Sequence, residues 1–152
     1  MAGVTIRDFR PDDGEALSAL VVRCLREVNS RDYPAELIDR MCAHFSPDRF
    51  RRLGVERHVY VAERAGRVVG TVSRDGNKAY TMFVDPDAHG GGVGRLLMRH
   101  VEDLARAEGH DVMETGASIT GHGFYRRIGY HDVRVSDTEF GVNHILRRSL
   151  RP

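Results

Sequence analysis

Val84-Asp85-Pro86-Asp87-Ala88-His89-Gly90-Gly91-Gly92-Val93-Gly94-Arg95-Leu96-Leu97 reads as a strand that stops, a glycine turn and a helix that starts. The residues before it, from Ala79 to Val84, are apolar and aromatic, as in a strand. Pro86 cannot donate to a ladder, so the strand ends near it. Val93, Leu96, Leu97, Val101 and Leu104 then recur at the spacing of one helix face. That spacing predicts these five facing a sheet, with Arg95, Arg99, Glu102 and Arg106 facing outward. Between strand and helix lie four glycines in five positions. Glycine lets backbone N–H groups crowd against a ligand. Unpaired amides at a helix start, reinforced by the helix dipole, form an anion site. The stretch is therefore built to hold a phosphate.

Two phosphate loops fit it poorly. A P-loop needs Gly-Lys followed by Ser or Thr, whereas Gly94 precedes Arg95 and the single lysine of the chain is Lys78. A dinucleotide fingerprint needs G-x-G-x-x-G, whereas Gly90, Gly92 and Gly94 give G-x-G-x-G. A third pattern fits better. His89-x-x-Gly92-x-Gly94 resembles the Q/R-x-x-G-x-G/A pyrophosphate loop of the Gcn5-related N-acetyltransferases (GNAT). Downstream, Phe124-Tyr125-Arg126-Arg127-Ile128-Gly129-Tyr130 resembles the F-Y-x-x-x-G-F/Y segment of that family. The resemblance covers Val59 to the C-terminus well and the N-terminal third loosely. His89 departs from the usual arginine or glutamine, Ser118 stands where asparagine is frequent, and Gly121 where alanine is frequent.

The chain has 152 residues, which predicts one domain, 1–152, with a core of its own. No segment approaches the roughly 18 apolar residues of a membrane span. Met1 to Arg10 lacks an apolar signal region, so a cytoplasmic location is expected. A net charge of +1, with arginines spread throughout, argues against nucleic acid or a membrane as partner. Cys24 and Cys42 lack metal-site spacing and read as reduced thiols. Eight histidines are scattered without an H-E-x-x-H pattern, so no metal is expected.

A strand is expected over Val4 to Phe9, then a helix opened by Asp12 with Glu15 as a capping box. Asn29 to Pro34 is a loop, Ala35 to His44 a helix, and Ser46-Pro47 the start of another. Strands follow at His58–Arg64, Arg67–Arg74 and Lys78–Val84, with tight turns at Ala65-Gly66 and Asp75-Gly76-Asn77. The long helix runs from about Gly92 to Glu108. Then come a strand over Asp111–Gly116, a short helix over Gly121–Arg127, and a hairpin of Tyr130–Phe140 with Asn143–Ser149. This α/β order matches what the resemblance implies: the GNAT fold of acyl-CoA N-acyltransferases, a mixed sheet of about seven strands with helices on both faces. In that family the strands matching Lys78–Val84 and Asp111–Gly116 splay apart. The pantetheine arm enters the gap and pairs with strand backbone.

The resemblance implies acetyl-CoA as co-substrate. Its pyrophosphate would sit on His89, Gly90, Gly91, Gly92, Val93, Gly94 and Arg95, and its pantetheine arm on the backbone of Phe83 and Val84. Tyr125 is implied beside the thioester sulfur. A phenol of pKa about 10 can donate a proton to the departing thiolate. Phe124 reads as core. Ser118 either touches the cofactor or caps the helix near Gly121. Glu114 is the leading side chain for the base that frees the amine, unless strand alternation turns it to solvent. His110 and His122 have suitable chemistry but no motif to place them. The loop Asn29–Pro34 and the hairpin Asp137–Gly141 are expected to build the acceptor pocket, with Asp32, Asp137 and Glu139 drawing in a cationic amine and Tyr33 as a wall. The acceptor is a small-molecule or peptide amine, and pairing with a second copy of the chain stays open. The function implied is acetyl transfer to a primary amine by direct attack. The alternative is a non-catalytic acyl-CoA-binding regulatory module.

Overall fold

The computed structural model of the chain describes residues 3–152. The order is β1 (Val4–Asp8), α1 (Gly14–Glu27), α2 (Ala35–His44), α3 (Pro47–Glu56), β2 (His58–Arg64), β3 (Arg67–Asp75), β4 (Lys78–Val84), α4 (Val93–Ala107), β5 (Val112–Ala117), α5 (His122–Arg127), β6 (His131–Thr138) and β7 (Gly141–Ser149). All seven strands form one sheet, in the order β1-β2-β3-β4-β5-β7-β6. Only β4 and β5 run parallel, and α4 connects them. A parallel pair needs such a crossover, whereas the two-residue turns at Ala65-Gly66 and Gly76-Asn77 suffice for antiparallel β2–β3–β4.

Helices cover both faces. Leu97, Met98 and Val101 of α4 and Tyr125 of α5 pack with Val72, Ala79, Met113 and Leu146 on one face. Leu17 and Val21 of α1, Ile38 of α2 and Phe50 of α3 pack with Val59 and Val61 on the other. Each cluster removes several large apolar side chains from water, about 1.5–3 kcal/mol apiece. Among the described residues no helix is long and apolar enough to cross a membrane.

Three local expectations are corrected. The start of α1 is tied by Asp13 rather than by an Asp12–Glu15 box. Both Asp13 oxygens accept from the Arg7 guanidinium at 2.8 Å, and one also accepts from the Arg10 amide at 2.7 Å. Glu15 reaches away to Arg51 at 3.2 Å. Leu96 is 39 % exposed, and Met98 takes the core position beside Leu97. Glu102 is buried: it accepts from the Tyr130 hydroxyl at 2.5 Å and from Arg148 at 2.8 Å. Helical spacing leaves Glu102 beside Val101, and Tyr130 and Arg148, later in the chain, supply the partners that let a carboxylate go under. The Ser46 cap stands as expected, its hydroxyl accepting from the Arg49 amide at 3.1 Å with Pro47 in the first turn.

Candidate active site

β4 and β5 pair only at Lys78–Glu114 and Ala79–Thr115. Beyond those positions their facing edges carry no ladder, so a gap opens toward the C-terminal ends of both strands. Thr115 closes its vertex, its hydroxyl donating to the Ala79 carbonyl at 3.2 Å. The pairing of β3 with β4 slips between Thr71 and Ser73, and Thr81 takes a φ of +52°. A β-branched residue there costs about 1–3 kcal/mol and persists only where its surroundings impose it. Neither Thr81 nor Thr115 is visible as a site residue in the sequence, because the strain and the hydroxyl partner both come from neighbouring strands.

The glycine stretch leaves the end of β4 through a tethered turn. Arg23 of α1 pairs with Asp85 at 2.9 Å and Asp87 at 3.0 Å, and Asp85 accepts from the Asp87 amide at 2.8 Å. Gly90 and Gly92 then take φ of +81° and +86°, and a Cβ on either would meet nothing within 4 Å. These glycines serve backbone shape and leave open space above the loop. Gly94 serves packing: a Cβ there would lie 3.0 Å from the Phe124 ring. The first intrahelical bond of α4 runs from Leu96 to Gly92 at 3.0 Å. Among the described residues, the amides of Gly92, Val93, Gly94 and Arg95 have no protein acceptor. Four free donors at the positive end of a 15-residue helix are an arrangement able to receive an anion.

His89 faces its own chain, its Nε2 lying 2.8 Å from the Val84 carbonyl, which also accepts from the Cys24 thiol at 3.1 Å. Burial pushes that thiol up to about 12, which keeps it protonated and donating. The Val84 carbonyl is thus engaged within the chain. The Asp85 amide donates to Val69 on β3 at 2.8 Å, so strand alternation turns the Val84 amide to the gap. The same alternation sets Phe83 backbone against Thr71. Phe83 offers a ring instead, 5.8 Å from that of Phe45.

Tyr125 lies on α5 beside the vertex, 5 % exposed, its ring between Phe124 at 5.2 Å and Tyr130 at 5.8 Å. Burial pushes its phenol up to about 12, against a smaller opposing effect of the Thr115 hydroxyl. Ser118 caps the turn into α5, accepting from the Gly121 amide at 3.0 Å. Glu114 points to the opposite face of β5 from Thr115. It is 9 % exposed and held by Arg147 at 3.0 Å and Arg134 at 3.6 Å. Its carboxylate is engaged by both arginines and lies on the face of the sheet away from Tyr125. His110 lies near Glu108, at 3.9 Å, and beside Gly76, where β4 and β5 are still joined. His122 pairs with Asp132 at 2.6 Å.

The two segments expected around the acceptor brace the site. Tyr33 accepts from the Ile119 amide at 2.9 Å, and Asp32 accepts from the Thr120 hydroxyl at 2.7 Å, so the loop after α1 holds the β5–α5 connection. The β6–β7 tip meets α2, where Arg40 donates to the Glu139 carbonyl at 2.9 Å and the His44 and Phe140 rings lie 5.1 Å apart. Asp137 is exposed on β6. Sequence reasoning missed His44 and Phe45. Burial and Arg49 hold the His44 imidazole below its usual pKa, hence neutral. His44 sits at the C-terminal end of a helix, where the sequence offers only the signal of a helix stop.

Comparison with known proteins agrees with this geometry. Residues 55–132 match the acetyltransferase (GNAT) domain family. The peptidyl-lysine N-acetyltransferase YjaB of Escherichia coli K12 is 31% identical over 130 residues, covering 84% of this chain and 82% of YjaB. The chain belongs to the GNAT family. Among solved GNAT structures, one from Rhodopseudomonas palustris aligns at a TM-score of 0.89 with 22% identity, covering 98% of this chain and 97% of that one. The PaiA N-acetyltransferase of Thermoplasma acidophilum, solved with coenzyme A, aligns at 0.80 with 17% identity, covering 97% and 99%. Both share the GNAT sheet.

Proposed function

We propose that this GNAT protein transfers acetyl from acetyl-CoA to a primary amine by direct attack, within one domain. The observation that carries the reading is the row of free amides from Gly92 to Arg95, under open space, beside the β4–β5 gap. Those amides hold the pyrophosphate, and the Val84 amide pairs with the pantetheine arm. Acetyl-CoA supplies the activated thioester. The amine nitrogen, having lost one proton to solvent, attacks the acetyl carbonyl; the carbon–sulfur bond breaks as Tyr125 gives its proton to the leaving sulfur, and the second proton released from nitrogen on forming the amide restores Tyr125. A phenol held up to about 12 arrives protonated at neutral pH, as an acid must. Ser118 acts as a cap, and His89 shapes the loop.

The amine approaches between the α1–α2 loop and the β6–β7 tip. Phe45, Phe83 and Phe140 give this side an aromatic wall, and the Glu139 carboxylate stands 4.0 Å from His44. The wall favours an amine carried on an apolar stem. A lysine side chain of a peptide has that shape, in keeping with YjaB being a peptidyl-lysine N-acetyltransferase, and so has a small aliphatic amine.

The test compares acetyl-CoA with S-acetylpantetheine, which has the same thioester arm and no pyrophosphate. Calorimetric titration is expected to show acetyl-CoA binding at least about 100-fold more tightly, since charge-assisted hydrogen bonds are worth about 1.5–3 kcal/mol each. Equal affinities would remove the pyrophosphate from the glycine loop.

A further inference from the structure

We propose that His122, Asp132 and His144 form a binding site for a divalent transition-metal ion of the zinc class. One ligand atom from each lies within 4.8 Å of the other two. His122 Nε2 is 2.6 Å from Asp132 Oδ1, and the His122 and His144 ring centroids are 4.4 Å apart with planes tilted 34°. The three come from α5, β6 and β7, so no sequence spacing announces them. Register brings them together. His144 stands opposite Ala117, and Leu146, two residues on along the same face, stands opposite Asp132. Buried Leu146 keeps that face toward α5, whose first residue is His122.

Two imidazoles and one carboxylate suit zinc, cobalt, nickel or copper, whereas magnesium and calcium prefer all-oxygen sets. Zinc bonds of about 2.0–2.1 Å place tetrahedral ligand atoms about 3.3 Å apart, so closure asks for shifts of about 1.5 Å at most, within side-chain rotation. Arg126 approaches the second Asp132 oxygen at 3.9 Å and is 64 % exposed, free to swing away. Asp132 is itself exposed, which leaves the remaining coordination position to water or an outside ligand. A bound ion would tie the first turn of α5 to the last hairpin, one turn ahead of Tyr125. The site shares no residue with the glycine loop or the acceptor wall and stands whether or not acetyl transfer is the activity.

The experiment uses untagged, chelator-stripped protein without acetyl-CoA. Zinc is titrated by calorimetry, and cobalt by visible absorption. The expected result is one ion per chain, a cobalt d–d band of a low-coordinate nitrogen–oxygen site, and a raised melting temperature. Asp132→Asn and His144→Gln each weaken binding by at least about tenfold, the loss that even outer partners of a metal cause. His110→Ala, at a histidine remote from the cluster, leaves it unchanged. Circular dichroism melts of each variant without metal separate lost folding from lost ligation, and His144→Gln keeps a polar side chain of similar reach. No stoichiometric binding to the wild type would overturn the proposal. So would equal affinity in wild type and both cluster variants.

Discussion

At the residue scale the proposed reaction rests on Tyr125, whose place on a short helix was legible in the sequence. A local F-Y-x-x-x-G segment fixes it, and a six-residue helix delivers it. Replacing it with phenylalanine removes one oxygen and keeps the ring in its aromatic nest, so the fold should survive. Turnover is expected to fall by about 10²-fold, the usual worth of a general acid, while the KM for acetyl-CoA moves little. Steady-state curves on both proteins check it; equal turnover with chemistry rate-limiting would take Tyr125 out of the mechanism. The raised phenol pKa adds a pH expectation: kcat should not decline through the ordinary phenol range near 10, because the proton is retained to about 12. A decline there that Tyr125→Phe abolishes would contradict the burial argument. Asp13 gives a stability counterpart. The Arg7 hydrogen bonds hold its carboxyl below the usual value, so it stabilises the fold above its unfolded pKa, and that contribution is lost as pH falls through its folded pKa. Asp13→Asn is expected to cost about 2 kcal/mol at neutral pH, with the gap to wild type closing in acid, as read by urea melts at several pH values. Strand alternation leaves two faces open to Glu114, and the arginines of β6 and β7 meet it on the one away from Tyr125.

At the element scale the glycine loop and α4 were legible because their signals are local: Pro86 ends a strand, glycines permit positive φ, and apolar spacing reports a helix. The reading failed where a distant element decides. Glu102 is buried because Tyr130 and Arg148, far along the chain, supply its partners. The β4 bulge at Thr81 and the role of His44 and Phe45 escaped for the same reason. Gly92→Glu tests the loop as an element. Nothing lies within 4 Å of a Cβ there, so the penalty to the fold is the φ of +86°, about 1 kcal/mol. The carboxylate, in contrast, occupies the phosphate seat. Acetyl-CoA binding should disappear from calorimetry while the far-ultraviolet circular dichroism stays that of the wild type. A folded variant that still binds would place the pyrophosphate elsewhere.

At the scale of the whole molecule, the seven-stranded sheet is open between its two parallel strands, with helices packed on both of its faces. The order of elements along the chain was legible in local signals, whereas the sheet and its gap entered through the resemblance, since strand pairing depends on residues far apart in the chain. A ligand that bridges β4 and α4 should stabilise the whole fold by mass action. At a hundredfold excess over its dissociation constant, acetyl-CoA is expected to add about 2.7 kcal/mol and raise the melting temperature by roughly 5–10 °C. A non-catalytic acyl-CoA-binding module would show the same shift, so binding alone does not separate it from an enzyme. Release of free coenzyme A thiol does. The measurement is the steady-state rate of thiol release from acetyl-CoA with a panel of lysine peptides, polyamines and small aliphatic amines, each product checked by mass. The account expects at least one amine to give many turnovers with its N-acetyl product. Tight acetyl-CoA binding with thiol release no faster than in buffer, across every amine, would contradict it.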